Sequence, residues 1–577
     1  MKRLLPYLKE YRKECILAPL FKMLEAILEL FVPLVVAAMI DKGIGSRQKG
    51  YLLGMSLVLL LLALIGLSVS ITAQFFAAKA AVGFATRLRS ALFRHLQHFS
   101  YTQIDRMGTA TMITRMTNDI TLVQNGVNMV LRLLLRSPFV VLGAMIMAFT
   151  IDPWSALLFV AVIFGLSATV FLIMNFHIPM MRLIQQRLDA LTQAARENLT
   201  GVRVIRAFVK EQEEIARFRV KNESLLHTQK KTGMIAGLLN PVTYVIVNLA
   251  IILLIRSGAI QVGRGALTQG EVVALYNYMS QILIELIKFA NLTITINKAL
   301  AGGSRIADAL AIQPKETEPD TNHAEKMENQ PAVSFEGVSL TYQGAAEEAL
   351  SDISFVAEEG QTIGIIGGTG CGKTSLVNLI CGFYEATEGS VKLYGRQIGE
   401  YSRSQLRDMI AIVQQKAVLF QGSIRDNLKW GKEDADDAKM HTAIAMAQAT
   451  DVVEAKGGLD GRIEQGGRNL SGGQRQRLAI ARAVIGQKEI LILDDSSSAL
   501  DMATDRRLRQ ALSDRKPKGL TFIVSQRTTA IQSADLILVM DNGRIVGRGR
   551  HEELLENCEV YREIYDSQNA PVKEAAV

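Results

Sequence analysis

Long apolar segments dominate the first three hundred residues of this 577-residue chain. A helix that crosses a membrane needs about 20 mainly apolar residues. Six segments reach that length: Ile16–Ile40, Leu52–Val82, Leu133–Thr150, Trp154–Phe176, Met234–Ile255 and Val272–Leu300. Charged residues interrupt the sixth, which is included because the topology requires an even number of spans. The last two hundred and fifty residues instead have the pattern of a globular domain. We therefore predict an all-α six-helix membrane domain followed by a soluble domain.

The connections between the predicted spans alternate between long and short. Thr86–Arg132 and Pro179–Lys231 are long, polar, rich in basic residues and helical in pattern, whereas Asp152-Pro153 and Ser257–Leu267 are short. Basic residues concentrate on the cytoplasmic side of membrane proteins. The long connections, both termini and the soluble domain are therefore predicted to be cytoplasmic. The formal net charge of +8 fits this orientation in the cytoplasmic membrane better than nucleic-acid binding, because the basic residues cluster beside apolar spans.

A phosphate-binding loop is predicted in the soluble domain. It follows the strand-like Thr362–Ile366, precedes the apolar helix Ser375–Cys381 and fits G-x-x-x-x-G-K-[ST]. Its residues are Gly367, Gly368, Thr369, Gly370, Cys371, Gly372, Lys373 and Thr374. In such a loop the backbone N–H groups cradle phosphates, the lysine reaches the β- and γ-phosphates, and the hydroxyl ligates Mg²⁺. The motif predicts an α/β P-loop ATPase domain that binds ATP and Mg²⁺.

Further motifs follow this loop in a specific order: Gln415 in a glutamine-containing loop, Leu470–Gln474, and the apolar strand Ile490–Asp494. Together with the six spans and two long extensions, they resemble the half-transporters of ABC exporters. The resemblance implies that Tyr342 stacks on adenine, that Gln415 contacts Mg²⁺ or the attacking water, and that Asp494 holds Mg²⁺. It also implies a signature that closes over the γ-phosphate bound to a second ATPase domain, here Ser471, Gly472, Gly473 and Gln474.

Two positions differ from the family pattern at the catalytic centre. Asp495 stands where the family usually has a glutamate general base, and Gln526 stands where it has a switch histidine. Aspartate is shorter by one methylene, and an amide does not shuttle a proton. We therefore predict that the site containing Asp495, Gln526 and Gln415 binds ATP and turns it over slowly. Alternatively, both residues are tolerated variants in a fully active homodimer.

The predicted domains are a transmembrane domain (1–312), a linker (313–331), an ATP-binding domain (332–566) and a flexible tail (567–577). The resemblance implies a second half-transporter as partner, with a heterodimer favoured, and ATP-driven export of a hydrophobic or amphipathic small molecule or lipid. The alternatives are a homodimeric lipid flippase or peptide exporter, a nucleotide-gated channel or sensor subunit, and an importer. By the same resemblance, short helices that dock on an ATPase are expected at Tyr101–Met107 and Glu211–Ala216.

Charged residues inside the spans are costly and often functional. For Lys22 and Glu25, pairing with another helix or a helix stem that extends beyond the bilayer is favoured over a substrate path, because both lie near the cytoplasmic end of the span. For Glu29 and Glu285, a substrate path and interhelical pairing are both open interpretations. Arg136, near the start of the third span, is expected to reach the interface with its long side chain.

Overall fold

The computed structural model describes residues 2–313, 327, 329–496, 498–515 and 518–569. Within them the chain forms two compact units. One comprises Met1–Gln97 and Ala110–Gln313, and the other comprises His98–Thr109 together with the described residues of 314–577. The predicted linker lies mostly outside the described residues, as does the predicted tail from 570 onward. The preceding residues 567–569 belong to the last helix, Glu559–Asn569.

The first unit contains six helices that are long and apolar enough to cross a membrane, within the described part of the chain. We call them spans 1 to 6: Arg3–Ile44, Lys49–Gln97, Thr109–Ile151, Pro153–Thr200, Glu211–Gly263 and Gln269–Ala311. Each contains one of the six predicted segments, including the interrupted sixth. All are much longer than a bilayer requires; the 49 residues of span 2 extend about 70–80 Å, against about 30 Å of hydrocarbon.

Span 3 is not a uniform α-helix. It contains two π-helical turns, at Arg115–Asp119 and Val130–Leu134, and span 1 ends in a third at Met39–Ile44. A π-turn accommodates one extra residue within an α-helix and is frequent at functional sites. The turn at Val130–Leu134 directly precedes the helix Arg136–Ile151 and therefore sets the direction of its side chains.

The second cytoplasmic extension differs from its prediction. Its short helix is Val202–Ala207, whereas Glu211–Ala216 forms the beginning of the long helix Glu211–Gly237. Three glutamates lie in the first turn of that helix, where negative side chains favour the positive end of the helix dipole. The prediction of a separate short helix at Glu211–Ala216 was therefore wrong, since the short helix begins nine residues earlier.

The expectation for Arg136 was also wrong. Its side chain is only 7% exposed, and it donates hydrogen bonds to Glu285 of span 6 and Glu29 of span 1, each at 2.6 Å. A guanidinium with two carboxylate partners can stay inside the bundle and does not need to reach the membrane surface. Lys22 and Glu25 form an ion pair within span 1, with an N–O distance of 2.6 Å, and the expected contact with another helix is made by Lys22, which donates to Oγ of Ser70 in span 2 at 3.2 Å.

The second unit is built on two main sheets. The four-stranded sheet has the order β2-β1-β4-β5, and the six-stranded sheet has the order β12-β11-β3-β10-β9-β6, with β12 alone antiparallel. The strands are β1 Val333–Leu340, β2 Leu350–Ala357, β3 Thr362–Gly367, β4 Glu388–Leu393, β5 Arg396–Gln397, β6 Ile410–Val413, β7 Gly422–Ser423, β8 Arg462–Ile463, β9 Ile490–Asp494, β10 Leu520–Val524, β11 Leu536–Asp541 and β12 Arg544–Gly549.

Helices cover the larger sheet and form a separate helical layer. They are Lys373–Ile380, Arg403–Met409, Ile424–Lys429, Asp437–Met446, Thr450–Ala455, Gly472–Val484, Met502–Ser513, His551–Asn557 and Glu559–Asn569. One core lies between the two sheets, and a second joins the helical layer to β9 through residues such as Leu478 and Leu491. The parallel strands β3, β9 and β10 therefore end at one common edge, as ligand-binding α/β sheets require.

Candidate active site

The predicted phosphate-binding loop lies at that edge. Strand β3 runs between β10 and β11, ends at Gly367, and leads into the helix Lys373–Ile380. Gly370 and Gly372 have φ angles of 84° and 97°, a left-handed conformation that favours glycine. A Cβ at Gly372 would lie 2.6 Å from the carbonyl oxygen of Ala349. The loop conformation therefore depends on these glycines, and its N–H groups precede a helix N-terminus suited to an anion.

The only lysine of the loop is folded back over it. The Nζ of Lys373 donates hydrogen bonds to the carbonyl oxygens of Gly367 at 2.9 Å and Gly368 at 2.5 Å. The Sγ of Cys371 lies 3.5 Å from the same ammonium. The cation is thus held by the loop whose N–H groups would bind phosphate. This arrangement fits the triphosphate of ATP.

The predicted magnesium ligands are adjacent. The Oγ1 of Thr374 lies 3.2 Å from Oδ2 of Asp494, which ends β9. Burial raises the pKa of Asp494, and Asp495 next to it raises it further. The described residues contain no group of three or more His, Cys, Asp or Glu side chains suited to a metal. One hydroxyl and one carboxylate fit Mg²⁺, which typically retains water and phosphate oxygens as its other ligands.

The two altered catalytic positions lie at the ends of neighbouring strands. Asp495 follows β9 with a φ of 45°, and its N–H donates to the carbonyl oxygen of Val524 at 3.0 Å. Its Oδ2 lies 3.4 Å from Nε2 of Gln415, so the structure brings these two predicted residues together. Burial raises the pKa of Asp495, while the hydrogen bond from Gln415 lowers it. Gln526 follows β10 and is exposed.

A residue that the sequence did not indicate holds the segment around Gln526. Nε2 of Gln568, in the last helix, donates to the carbonyl oxygen of Gln526 at 2.7 Å. Its Oε1 accepts from the N–H and the hydroxyl of Thr528, at 2.9 and 3.1 Å. One amide side chain therefore fixes the backbone on both sides of Arg527. Gln568 falls in the segment that was predicted to be a flexible tail, because a polar residue near the C-terminus carries no periodic signal.

Tyr342 lies close to the loop, as the resemblance implied. Its hydroxyl donates to Oγ of Ser375, in the helix that follows the phosphate loop, at 3.0 Å. Its ring meets the ring of Tyr384 edge-on, with centroids 5.0 Å apart. The aromatic face is thereby fixed next to the predicted nucleotide site, although its stacking on adenine stays a prediction.

The signature occupies a different surface. Ser471 caps the helix Gly472–Val484, accepting from the N–H of Gln474, whose side chain accepts in turn from the N–H of Ser471. Gly473 packs against Ala499, in the segment that follows Asp495. Among the described residues, no hydrogen bond connects Leu470–Gln474 to the phosphate loop. The signature is therefore available to a second molecule.

The helix Tyr101–Met107 belongs to this unit, and its predicted docking on the ATPase domain is confirmed. Tyr101 stacks on Phe383 with centroids 4.4 Å apart, and the hydroxyl of Tyr384 donates to Asp105 at 2.5 Å. The guanidinium of Arg407 lies 4.6 Å from the centroid of the Phe383 ring. The tip of the first cytoplasmic extension thus packs against the loop that contains Phe383 and Tyr384 and follows the helix Lys373–Ile380.

Comparison with known proteins decides the family. Residues 15–286 match the ABC transporter transmembrane region, and residues 350–498 match the ABC transporter ATPase family. The chain is similar to an uncharacterized ABC transporter ATP-binding protein of Mycobacterium tuberculosis, with 32% identity over 98% of the chain and 97% of the relative. The chain belongs to the ABC transporters. As a member with six spans and one ATPase domain, it is a multi-pass membrane protein, an ATP-hydrolysing translocase, and has its ATPase domain in the cytoplasm.

Two further comparisons describe its relatives within the ABC transporters. An ATP-dependent lipid A-core flippase of Desulfotalea psychrophila is 31% identical over 83% of the chain and 84% of the relative. A bacterial Atm1-family ABC exporter solved with ATP bound has the same fold, with a TM-score of 0.80, 22% identity, and coverage of 98% of the chain and 99% of that protein. The expected fold, a six-helix membrane domain followed by an α/β ATPase domain, is confirmed.

Proposed function

We propose that this ABC transporter is one half of a heterodimeric exporter whose own nucleotide site binds ATP and Mg²⁺ but hydrolyses ATP slowly. The observation that carries the proposal is the pairing of Asp495 with Gln415, next to the ordered phosphate loop. Binding residues are complete, whereas the two groups closest to the hydrolytic chemistry are altered. Such a site holds nucleotide without efficient turnover.

The short reach of the Asp495 side chain, compared with a glutamate, supports slow hydrolysis. A general base must lie within hydrogen-bonding reach of the water that it activates. Relative to glutamate, Asp495 withdraws the carboxylate by about 1.5 Å, and a misplacement of about 1 Å can lower a rate about a hundredfold. The exposed amide of Gln526 can still donate a hydrogen bond to phosphate but cannot supply positive charge.

The intact signature supports a partner with a competent site. Ser471 and the following glycines form a well-capped helix N-terminus, which favours an anion. In the proposed dimer this surface closes over ATP held by the second half-transporter, while the partner's signature closes over Lys373 and its neighbours. One site then drives the cycle, and the other holds ATP for longer.

A groove on the ATPase unit supports contact with the second chain. It has a volume of about 1410 Å³ and is lined by the aromatic side chains of Phe420 and Trp430 and by charged side chains of both signs, among them Glu433 and Lys432. Such a groove suits the tip of a cytoplasmic extension. This chain's own second tip offers an aromatic side chain for such a wall, since Val202–Ala207 is followed by the 72%-exposed Phe208. We propose that the groove receives the corresponding tip of the partner.

The proposed substrate is a hydrophobic or amphipathic small molecule or lipid. The spans are largely apolar, and one relative is named a lipid A-core flippase. ATP-dependent closure of the two ATPase domains would pull on Tyr101–Met107 through its contacts with Phe383 and Tyr384. Export is proposed from the similarity to exporters. Measurement of ATPase activity does not depend on the direction of transport.

The test is ATPase activity of the purified chain in lipid nanodiscs, alone and with the half-transporter encoded by its closest genomic neighbour. The expected result is little turnover by the lone chain and restored turnover by the pair. A pair carrying Lys373→Ala in this chain serves as a control for ATP binding at this site. Brisk turnover by the lone chain would contradict the proposal and favour the homodimer.

A further inference from the structure

A charged cluster lies deep within the membrane unit. Glu29, Arg136 and Glu285 come from spans 1, 3 and 6, and each lies 15 or 16 residues from the external end of its span. At 1.5 Å per residue this corresponds to about 22–24 Å below the outer surface of a hydrocarbon layer about 30 Å thick. The cluster is therefore at the depth of the inner leaflet.

The centre of the cluster is densely hydrogen-bonded, and of the buried polar atoms of Arg136 and Glu285 only Nε of Arg136 lacks a partner among the described residues. Oε1 of Glu285 accepts from Arg136 at 2.6 Å and from Lys288 at 2.8 Å, and its Oε2 accepts from the hydroxyl of Ser137 at 2.8 Å. The side chains of Arg136 and Glu285 are 7% and 5% exposed. This buried pair joins two spans and has little capacity left for a ligand.

The two outer groups of the cluster, Glu29 and Lys288, are more exposed and make fewer hydrogen bonds than its centre. Glu29 accepts one hydrogen bond, through Oε2 from Arg136, and its side chain is 44% exposed. Lys288 donates one hydrogen bond, to Glu285, and is 43% exposed. A carboxylate has about four acceptor positions and an ammonium has three donors, so both groups retain capacity within the described residues. Charged groups at this depth face a cavity or the bundle interior, not lipid chains.

An apolar crevice adjoins the cluster. It has a volume of about 320 Å³ and borders the cluster at Ser137 and Glu285, whose polar atoms are hydrogen-bonded to each other and do not open into it. The rest of its wall is apolar: Pro138, Val141, Leu142, Leu286 and Phe289. A charged rim beside an apolar crevice matches an amphipathic molecule with a polar head and a hydrocarbon chain.

We propose that Glu29 and Lys288 form the head-group site for a zwitterionic amphipath, with its ammonium on Glu29, its anionic group on Lys288 and its apolar part in the crevice. This deepens the proposed function, on which it rests, by naming the substrate class. Two carboxylates and two cations make the cluster neutral, and adding a net charge at this depth is costly. A zwitterion satisfies both open groups and keeps the cluster neutral, whereas a simple cation or anion satisfies only one.

Equilibrium binding without nucleotide tests this site independently of hydrolysis. The copurified pair in nanodiscs would be titrated with tritiated lysophosphatidylethanolamine in a scintillation proximity assay. The competitors of matched chain length are an alkyl sulfobetaine, an alkyltrimethylammonium, lysophosphatidylglycerol and a monoacylglycerol. The sulfobetaine distinguishes a general zwitterion site from one that needs a phospholipid head.

Glu29→Gln and Lys288→Gln are each expected to weaken binding of the zwitterions about tenfold or more, since a charge-assisted hydrogen bond is lost. Binding of the monoacylglycerol should change less than about twofold. Glu25→Gln is the matched control, because Glu25 lies one turn away on the same helix and is already paired with Lys22. Glu29→Asp keeps the carboxylate and should retain most of the affinity.

The proposal would be overturned if the two glutamine variants lost affinity equally for the neutral and the zwitterionic ligands. It would also be overturned if the wild-type pair bound the cation or the anion more tightly than either zwitterion. Absence of zwitterion binding by the wild-type pair would do the same. The proposed heterodimer fails on a different result, brisk ATP turnover by the lone chain. The two proposals are therefore tested by separate measurements.

Discussion

Restoring the two altered residues should convert this site into an efficient ATPase. The perturbation is Asp495→Glu with Gln526→His in the purified chain. The added methylene advances the carboxylate by about 1.5 Å from a position where Asp495 now contacts Gln415 at 3.4 Å. Recovery of about a hundredfold in rate corresponds to about 2.7 kcal/mol of transition-state stabilisation.

The assay is phosphate release by the chain alone, with saturating ATP and Mg²⁺, because the chain's own signature can complete the site in a homodimer. Nucleotide affinity should change little, since Lys373 and Thr374 are untouched. Asp514→Glu, on the surface of the ATPase unit, controls for the added methylene alone. A double variant that binds ATP as wild type does but remains inactive would refute the argument that these two residues limit turnover.

Three further outcomes follow from individual contacts. Gln568→Ala should lower kcat of the restored double variant about tenfold, equivalent to about 1.4 kcal/mol, with KM unchanged, because the hydrogen bonds that hold the segment around Gln526 are lost. Asn569→Ala, which loses only a local contact to Tyr565, should not lower kcat, and equal effects would contradict the assignment. Tyr101→Ala should reduce substrate stimulation of ATP hydrolysis by the pair while ATP binding persists, and unchanged stimulation would contradict a coupling role. Arg136→Met should destabilise the membrane unit by about 3 kcal/mol, measured by thermal inactivation, because it leaves the buried carboxylate of Glu285 without its guanidinium; a wild-type midpoint would contradict this expectation.

Local sequence patterns were sufficient to predict the membrane spans and the phosphate-binding loop. Each apolar segment is long enough to identify a span without knowledge of its neighbours. The glycines and Lys373 are likewise contiguous, so their geometry depends on a single strand–loop–helix unit. The first docking helix, Tyr101–Met107, was located correctly from the family resemblance, and its bounds are set locally by the capping Ser100 and the terminal Gly108.

Features that depend on distant segments could not be predicted in this way. The partners of Arg136 come from two other spans, and only packing shows that all three lie at one depth. Gln568 meets the switch segment across 40 residues, through backbone atoms that carry no sequence information. The short helix of the second extension was misplaced because 202–207 and 211–216 both favour helix formation; the break between them comes from Val209 at a φ of 54°.

The π-helical turn at Val130–Leu134 has an evolutionary consequence. Successive residues of an α-helix are about 100° apart, so one extra residue redirects every side chain that follows it. Arg136 is the second residue after the turn, and the redirection brings it to face Glu29 and Glu285. A descendant with a one-residue deletion there would point the arginine more than a quarter turn away, without any substitution of a charged residue. Insertions and deletions at this turn therefore offer related transporters a route to a charged or an apolar interior.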